Sequence, residues 1–127
     1  MKVALLIWNG RNRALLAELL AQENCEIVGA QDDYFDSDVD MYIVDGPALA
    51  TVRERLAEAK AAAEPLFLPI LLIGPRPETM QSATRPWRVI DDVVLRPILK
   101  RELQARIRTL LHARGLSLRL RDSVALY

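Results

Sequence analysis

The residues best able to do chemistry follow the short apolar runs of this chain. Such runs predict buried strands, and in a parallel α/β sheet ligand sites form in the crevice outside the carboxyl ends of the strands. Asp45 follows the run at residues 41–44, and Arg96 follows the run at 92–95. The strand-end residues that make up the candidate site are Trp8, Asn9, Asp45, Gly46, Gly74, Pro75, Arg96 and Pro97.

Asp45 is the only carboxylate of this set. A hard cation such as Mg²⁺ needs several oxygen ligands, so a single carboxylate makes a poor metal site. We predict that Asp45 either pairs with Arg96 or caps a neighbouring turn. The planar fork of arginine matches a carboxylate, and such a pair would fix one conformation of this corner. Trp8 is predicted to fill the crevice as a packing residue, with a stacking surface for a ligand as the alternative.

Other chemistries lack the residues that they need. The single cysteine, Cys25, excludes an internal disulfide and indicates a reducing compartment, so we expect the cytoplasm. The single histidine, His112, leaves no His/Cys cluster for a metal. No nucleophile–base pair can be assembled, and GPRP at 74–77 lacks the glycine spacing of a phosphate-binding loop. We therefore expect no enzyme activity, no bound metal and no cofactor.

The composition is that of one folded domain. The chain has 127 residues, of which 51% are hydrophobic, and no apolar run approaches the roughly 20 residues that cross a bilayer, so no membrane association is expected. Net charge is zero but segregated: residues 18–45 hold nine acids and no base, and residues 96–121 hold eight Lys or Arg and one acid. These segments are expected to neutralise each other within the fold or across a dimer. No nucleic-acid-binding motif accompanies the basic segment, so we expect no nucleic-acid partner.

Hydrophobic periodicity predicts strands alternating with helices. Strands are predicted at residues 3–8, 25–30, 41–44, 67–73 and 92–95, and helices at 12–22, 49–64 and from 99 onward. Thr51 and Glu54 have the spacing of a capping box, although Pro47 would allow an earlier helix start. Residues 31–38 are too few and too polar for a full helix, and residues 78–88 are ambiguous. This alternation predicts right-handed βαβ units and a parallel sheet with helices on both faces.

The last residues predict a separate extension. Gly115 is predicted to end the last long helix, and Ser117 to begin another. Leu120, Val124 and Tyr127 fall at helical spacing, which indicates either an apolar stripe that needs a partner or a frayed tail. We therefore divide the chain into a domain at 1–113 and a linker or signalling-helix extension at 114–127.

Several stretches resemble the receiver domain of bacterial response regulators. DDVVLRP at 91–97, followed by ELQARIRTLL at 102–111, is similar to the fifth strand, the Lys-Pro turn and the last helix of that family. VDMYIVD at 39–45, PILLI at 69–73 and RALLAELL at 13–20 resemble the third strand, the fourth strand and the first helix. The resemblance covers residues 1–113. It implies a flavodoxin-like, five-stranded parallel sheet of order 2-1-3-4-5, a cis bond before Pro97, and Asp45 as the phosphoacceptor. The second helix of the family is expected to be short or absent here, because residues 30–39 are too few to hold it.

The chain departs from the receiver pattern where phosphoryl chemistry is done. Receivers carry two acidic residues after the first strand to hold Mg²⁺, whereas this chain has Trp8 and Asn9 there. Gly74 replaces a hydroxyl residue, and Arg96 replaces a lysine. Mg²⁺ bridges the two anions in phosphoryl transfer to a carboxylate, so we predict a pseudo-receiver in which transfer to Asp45 is slow or absent.

The resemblance implies a role in two-component-type signal transduction. The leading prediction is an interaction and dimerisation input module, the N-terminal part of a larger histidine kinase or diguanylate cyclase. Its partners would be an output domain, a histidine kinase or a second copy. The predicted dimer face is the last helix with the strand before it, and it carries Asp91, Asp92, Arg106 and Arg108. The alternatives are a working phosphoacceptor at Asp45, which alone would require Mg²⁺, and a small-molecule sensor using the crevice near Trp8.

Overall fold

The structure, a computed structural model, describes residues 1–28, 34–35, 38–74 and 89–125, with side chains up to residue 123. It contains five strands and three helices within these ranges. The strands are β1 (Lys2–Leu6), β2 (Glu26–Val28), β3 (Met41–Asp45), β4 (Ile70–Gly74) and β5 (Asp92–Leu95). The helices are α1 (Gly10–Gln22), α2 (Gly46–Ala63) and α3 (Lys100–Ala125).

All strand pairs are parallel, and the strands lie in the order β2-β1-β3-β4-β5. The predicted order and fold class are therefore confirmed. The register pairs Leu6 with Val44, Asp45 with Ile73, and Gly74 with Leu95. The carboxyl ends of the four strands β1, β3, β4 and β5 consequently meet at one edge, where a crevice opens.

Two hydrophobic clusters cover the two faces of the sheet. Alternate residues of β3 point to opposite faces, so Ile43 joins the cluster with α1 and α3 while Val44 joins the cluster with α2. Leu19 of α1 and Ile107 of α3 are fully buried in the first cluster, and Leu56 of α2 in the second. Burying side chains of this size contributes roughly 1.5–3 kcal/mol each, which makes these faces the main source of stability.

Two helices begin earlier than the periodicity predicted, because polar side chains cap them. The Asn9 side chain accepts a hydrogen bond from the Asn12 N–H at 3.1 Å, and α1 starts at Gly10. Asp45 caps α2, which starts at Gly46 with a proline in its first turn. The predicted capping box at residues 51–54 is therefore wrong, and the earlier start allowed by Pro47 is confirmed.

The predicted helix break at Gly115 is wrong, because α3 continues to Ala125. The helix continues because residues on either side of Gly115 make contacts with other parts of the fold. Arg114 donates from Nε to Asp40 and from Nη1 to the Phe67 carbonyl, both at 3.2 Å. Ser117, predicted to begin a new helix, instead accepts a hydrogen bond from the Phe67 N–H at 2.9 Å. These bonds hold α3 against the amino-terminal edge of the sheet.

The predicted stripe at the end of α3 is only partly visible. Leu120 is 67% exposed. The side chains of Val124 and Tyr127 lie outside the described residues, as do residues 78–88 and most of 31–38. No helix in the described part of the chain is long and apolar enough to cross a membrane.

The predicted charge neutralisation is found within the fold. Arg108 on α3 pairs with Glu23 at 2.8 Å, and Arg114 pairs with Asp40 at 3.2 Å. Both carboxylates belong to the acidic segment, and both guanidinium groups belong to the basic one. Two ion pairs therefore link the acidic and basic segments on the face where α3 meets the sheet.

Candidate functional site

Asp45 is the last residue of β3, and its side chain is bound by backbone N–H groups. One carboxylate oxygen, Oδ2, accepts from the Trp8 N–H at 2.8 Å and from the Asn9 N–H at 3.4 Å. The other, Oδ1, accepts from the Ala48 N–H at 2.9 Å. Asp45 is 7% exposed. The carboxylate thus joins the turn after β1 to the first turn of α2.

The local sequence accounts for this geometry. Aspartate is among the best helix N-cap residues because its oxygen accepts an otherwise unpaired N–H of the first turn. Pro47 lacks an N–H and has a φ suited to a first turn, so α2 begins directly after Asp45. The start of α2 is therefore determined by its capping residue, Asp45, and by the proline in its first turn.

A cavity of about 380 Å³ lies over Asp45 at the carboxyl edge of the sheet. It brings together most of the predicted strand-end residues, which lie on four connections of the fold. Its lining residues are Trp8, Asn9, Asn12, Asp45, Gly46, Pro47, Ile73, Gly74 and Arg96. Pro97 follows Arg96 through the predicted cis bond, and Pro75 lies outside the described residues. The sequence did not predict Asn12 and Pro47 as lining residues, because their positions depend on where α1 and α2 begin.

The predicted role of Trp8 as a packing plug is wrong. Its side chain is 59% exposed and lies at the rim of the cavity. Ile7 is buried in the core at 2% exposure, whereas the side chain of the next residue, Trp8, is exposed while its N–H bonds to Asp45.

The predicted Asp45–Arg96 pair is also wrong. Arg96 lines the cavity but is exposed, and it forms no ion pair or hydrogen bond with any residue that the structure describes. Asp45 already has three backbone donors. A buried carboxylate satisfied in this way does not need a guanidinium partner.

Gly74 allows close packing between β4 and β5. A Cβ atom at this position would lie 2.8 Å from Leu95 Cδ2 and 3.1 Å from Val93 Cγ1. Both distances are shorter than ordinary van der Waals contacts, so a side chain would displace its neighbours. A hydroxyl residue at position 74 would therefore lie too close to the side chains of Val93 and Leu95 on β5.

The described residues do not fit a Mg²⁺ site. Asp45 is the only carboxylate that lines the cavity, and its oxygens already accept three hydrogen bonds. Within the described ranges there is no group of three His, Cys, Asp or Glu residues able to hold a metal ion. Magnesium requires near-octahedral oxygen coordination, which this set of donors does not supply.

The four residues of the predicted dimer face are bonded within the chain. Asp91 accepts from Lys60 and from the Ile70 N–H, and Arg106 donates to Asp92 at 3.1 Å. Arg108 pairs with Glu23, as described above. The dimer role of this face stays a prediction.

No family model matches the chain, and no curated protein matches it. Solved structures do. NtrX from Brucella abortus in complex with ADP aligns with a TM-score of 0.70 at 20% identity, covering 95% of this chain and 29% of that one. A putative response regulator from Chloroflexus aurantiacus aligns with a TM-score of 0.67 at 18% identity, covering 87% and 97%. The response regulator TrrA from Thermotoga maritima, in complex with Mg²⁺-BeF, aligns with a TM-score of 0.60 at 20% identity, covering 86% and 97%.

The chain has the fold of a response-regulator receiver domain. It spans about three-tenths of the NtrX chain but nearly all of TrrA and of the Chloroflexus protein. The recognised stretches at 39–45, 69–73 and 91–97 contribute to β3, β4 and β5, so the sequence resemblance and the fold agree. Within this receiver fold, Asp45 lies at the sheet edge where the cavity opens.

Proposed function

We propose that this chain is an interaction module with a receiver fold, part of a bacterial two-component-type signalling protein, and that it acts without phosphorylation of Asp45. The observation that carries the proposal is the state of the Asp45 carboxylate. It is buried, and three backbone N–H groups bind it in place of a metal ion or a lysine. In this role Asp45 links the turn after β1 to the first turn of α2 and does not act as a nucleophile.

Phosphoryl transfer to Asp45 would act against this arrangement. The attacking oxygen would have to give up bonds to backbone donors, and losing an N-cap alone costs about 1 kcal/mol. The incoming phosphate would meet a carboxylate with no second acidic group in the cavity lining to hold Mg²⁺ between them. Both effects slow transfer, and neither is offset by a feature of the described residues.

The partners that fit this module are proteins: an output domain, a histidine kinase or a second copy of the chain. We place it in the cytoplasm, within a longer protein such as a histidine kinase or a diguanylate cyclase, and assign it no enzyme activity of its own. The face formed by β5 and α3 is the proposed contact surface. Arg106 and Arg108 there remain largely exposed although each is paired, so exchange of ion pairs between two copies needs little rearrangement.

The proposal is tested with acetyl phosphate, and separately with beryllofluoride, in the presence of Mg²⁺. Intact mass and ¹H–¹⁵N spectra are recorded, with an active receiver treated in parallel to show that the reagents work. We expect no phosphoryl mass increase and no shifts around Asp45. A mass increase that disappears in Asp45→Asn would overturn the proposal.

That outcome would support the second candidate, a working phosphoacceptor. Its supporting observation is the placement of Asp45 at the carboxyl end of β3, beside an open cavity. The two candidates differ in the role of one carboxylate, so the same experiment separates them.

A further inference from the structure

The two charged side chains among the described residues that line the cavity over Asp45 differ in their bonding. The carboxylate of Asp45 is buried and bonded to three N–H groups, which stabilise the negative charge inside the protein. The guanidinium of Arg96 is exposed and has no bonding partner among the described residues. The side chain available to a ligand is therefore a free guanidinium.

Further cations lie next to the residues that line the cavity. Arg11 is in the first turn of α1, and Lys100 and Arg101 begin α3 shortly after Arg96. All three are exposed, and none is paired with a residue that the structure describes. Farther along α3, by contrast, Arg106 and Arg108 are both paired with carboxylates. Within the described ranges, Arg11, Arg96, Lys100 and Arg101 thus form no ion pair at or near the carboxyl edge of the sheet.

Trp8 adds a flat apolar surface to this cavity. More than half of its side chain is exposed, and no other aromatic ring in the described part of the chain stacks on it. An exposed tryptophan beside a cavity is costly to hydrate and suited to stacking. The cavity volume of about 380 Å³ falls within the range of small-molecule sites, roughly 300–1,000 Å³.

The starts of α1 and α2 do not provide the anion site here. Asn9 caps α1, and Asp45 caps α2, so both of these helix starts already have a side-chain acceptor. An anionic group entering the cavity would be held by Arg96, whose fork binds a carboxylate or a phosphate with two parallel hydrogen bonds. Asn12 also lines the cavity and offers a neutral amide.

We propose that this cavity binds a small aromatic anion without a metal ion, with the ring stacked on Trp8 and a carboxylate or phosphate paired with Arg96. This inference goes beyond the proposed function and does not depend on it. A ligand bound here would contact the turn after β1 and the turn after β5 together, because these turns supply Trp8 and Arg96.

The test uses four probes that separate the ring from the charge, in buffer with EDTA. AMP has a ring and a phosphate, indole-3-acetate has a ring and a carboxylate, adenosine has only a ring, and inorganic phosphate has only the charge. The chain has two tryptophans, so Trp87→Phe leaves one indole N–H signal, that of Trp8, to follow by NMR. Calorimetry gives the affinities.

We expect AMP or indole-3-acetate to bind at least about ten-fold more tightly than adenosine and phosphate, and to shift the Trp8 signal. Which of the two binds identifies the anionic group. Arg96→Gln and Trp8→Ala should each weaken binding about ten-fold, whereas Arg119→Gln should not, since Arg119 is an exposed cation on the distal part of α3. All three positions are exposed, and thermal unfolding checks that each variant is folded.

Two results would overturn the proposal. One is that no probe shifts the Trp8 signal at millimolar concentration. The other is that Arg96→Gln and Arg119→Gln weaken binding equally, because that would show general attraction to a basic protein rather than a site. The acetyl phosphate experiment on Asp45 is unaffected by either result, so failure of one proposal is distinguishable from failure of the other.

Discussion

The backbone N–H of Trp8 donates a 2.8 Å hydrogen bond to the carboxylate of Asp45, which joins the end of β1 to the end of β3. The same carboxylate caps α2 through the Ala48 N–H. Two parts of the chain that are 37 positions apart, the turn after β1 and the junction of β3 with α2, therefore depend on one side chain. A substitution at Asp45 is therefore expected to lower the stability of the fold, unlike a substitution of an aspartate whose carboxylate is left free for phosphoryl transfer.

Asp45→Ala should destabilise the fold by about 2–3 kcal/mol. The helix cap accounts for about 1 kcal/mol, and the N–H groups left without an acceptor account for the rest. Asp45→Asn should cost less, about 1 kcal/mol, because its amide oxygen can still cap α2. Urea unfolding measures both. An Asp45→Ala variant as stable as the wild type would contradict the structural role.

Gly74→Ser should cost about 1 kcal/mol, because its Cβ would lie 2.8 Å from Leu95 Cδ2, the end of a half-buried side chain that must change its rotamer. Leu95→Ala in the same chain should recover part of that loss, since it removes the atom that is displaced. Gly46→Ala is the matched control, because nothing lies within 4 Å of a Cβ at Gly46. If Gly74→Ser and Gly46→Ala unfold at the same urea concentration, packing against β5 is not what restricts position 74.

The sheet was predictable because its signal is local. Each strand is a short apolar run, and the alternation with helices leaves few parallel topologies. The site was less predictable. Trp8 is exposed while its backbone N–H bonds to Asp45, and Arg96 is left without Asp45 as a partner because backbone donors occupy that carboxylate. Neither residue type nor spacing carries that information.

Gly115 shows the same limit for helices. Glycine costs about 1 kcal/mol inside a helix relative to alanine, so the sequence predicts an end there. Contacts made by Arg114 and Ser117 with the backbone of Phe67 offset that cost. These contacts join residues about fifty positions apart, and local patterns do not report them.

Cys25 should react slowly with alkylating reagents. Burial raises the pKa of its thiol, with Glu23 and Asp40 adding to the effect and the amino terminus opposing it. The reactive thiolate is therefore scarcer at neutral pH than in a free cysteine. Iodoacetamide labelling followed by mass spectrometry should be slower than for an unfolded control in urea, and should accelerate as the pH rises above 9. Equal rates at neutral pH in the folded and unfolded chain would contradict this.

The raised pKa of the Cys25 thiol also makes the stability of the fold depend on pH. The folded state disfavours the thiolate. The contribution of Cys25 to the free energy of unfolding is therefore fully present below the pKa of the thiol in the unfolded chain, and it is lost as the pH rises through the pKa of the thiol in the folded protein. Stability should therefore fall in the alkaline range by more in the wild type than in Cys25→Ala. Urea unfolding at neutral and alkaline pH measures the difference, and identical pH dependence in the two proteins would exclude the effect.

Arg114 should be essential for holding the distal part of α3. It is 12% exposed, and its guanidinium pairs with Asp40 while donating to the Phe67 carbonyl. Arg114→Ala leaves Asp40 with the Lys2 N–H as its only donor among the described residues and should cost about 2 kcal/mol. Amides after Ser117 should then exchange with solvent faster, because the helix loses its contact with the sheet while Gly115 still weakens it.

Arg121→Ala is the control for that experiment. Arg121 pairs with Asp122 at the surface, and such an exposed pair contributes about 0–1 kcal/mol. It lies on the same helix, so it changes helix charge without releasing the contact with Phe67. Hydrogen exchange that increases equally in both variants would show that α3 is held by its own propensity. Faster exchange in Arg114→Ala alone would show that the contact with the sheet holds it.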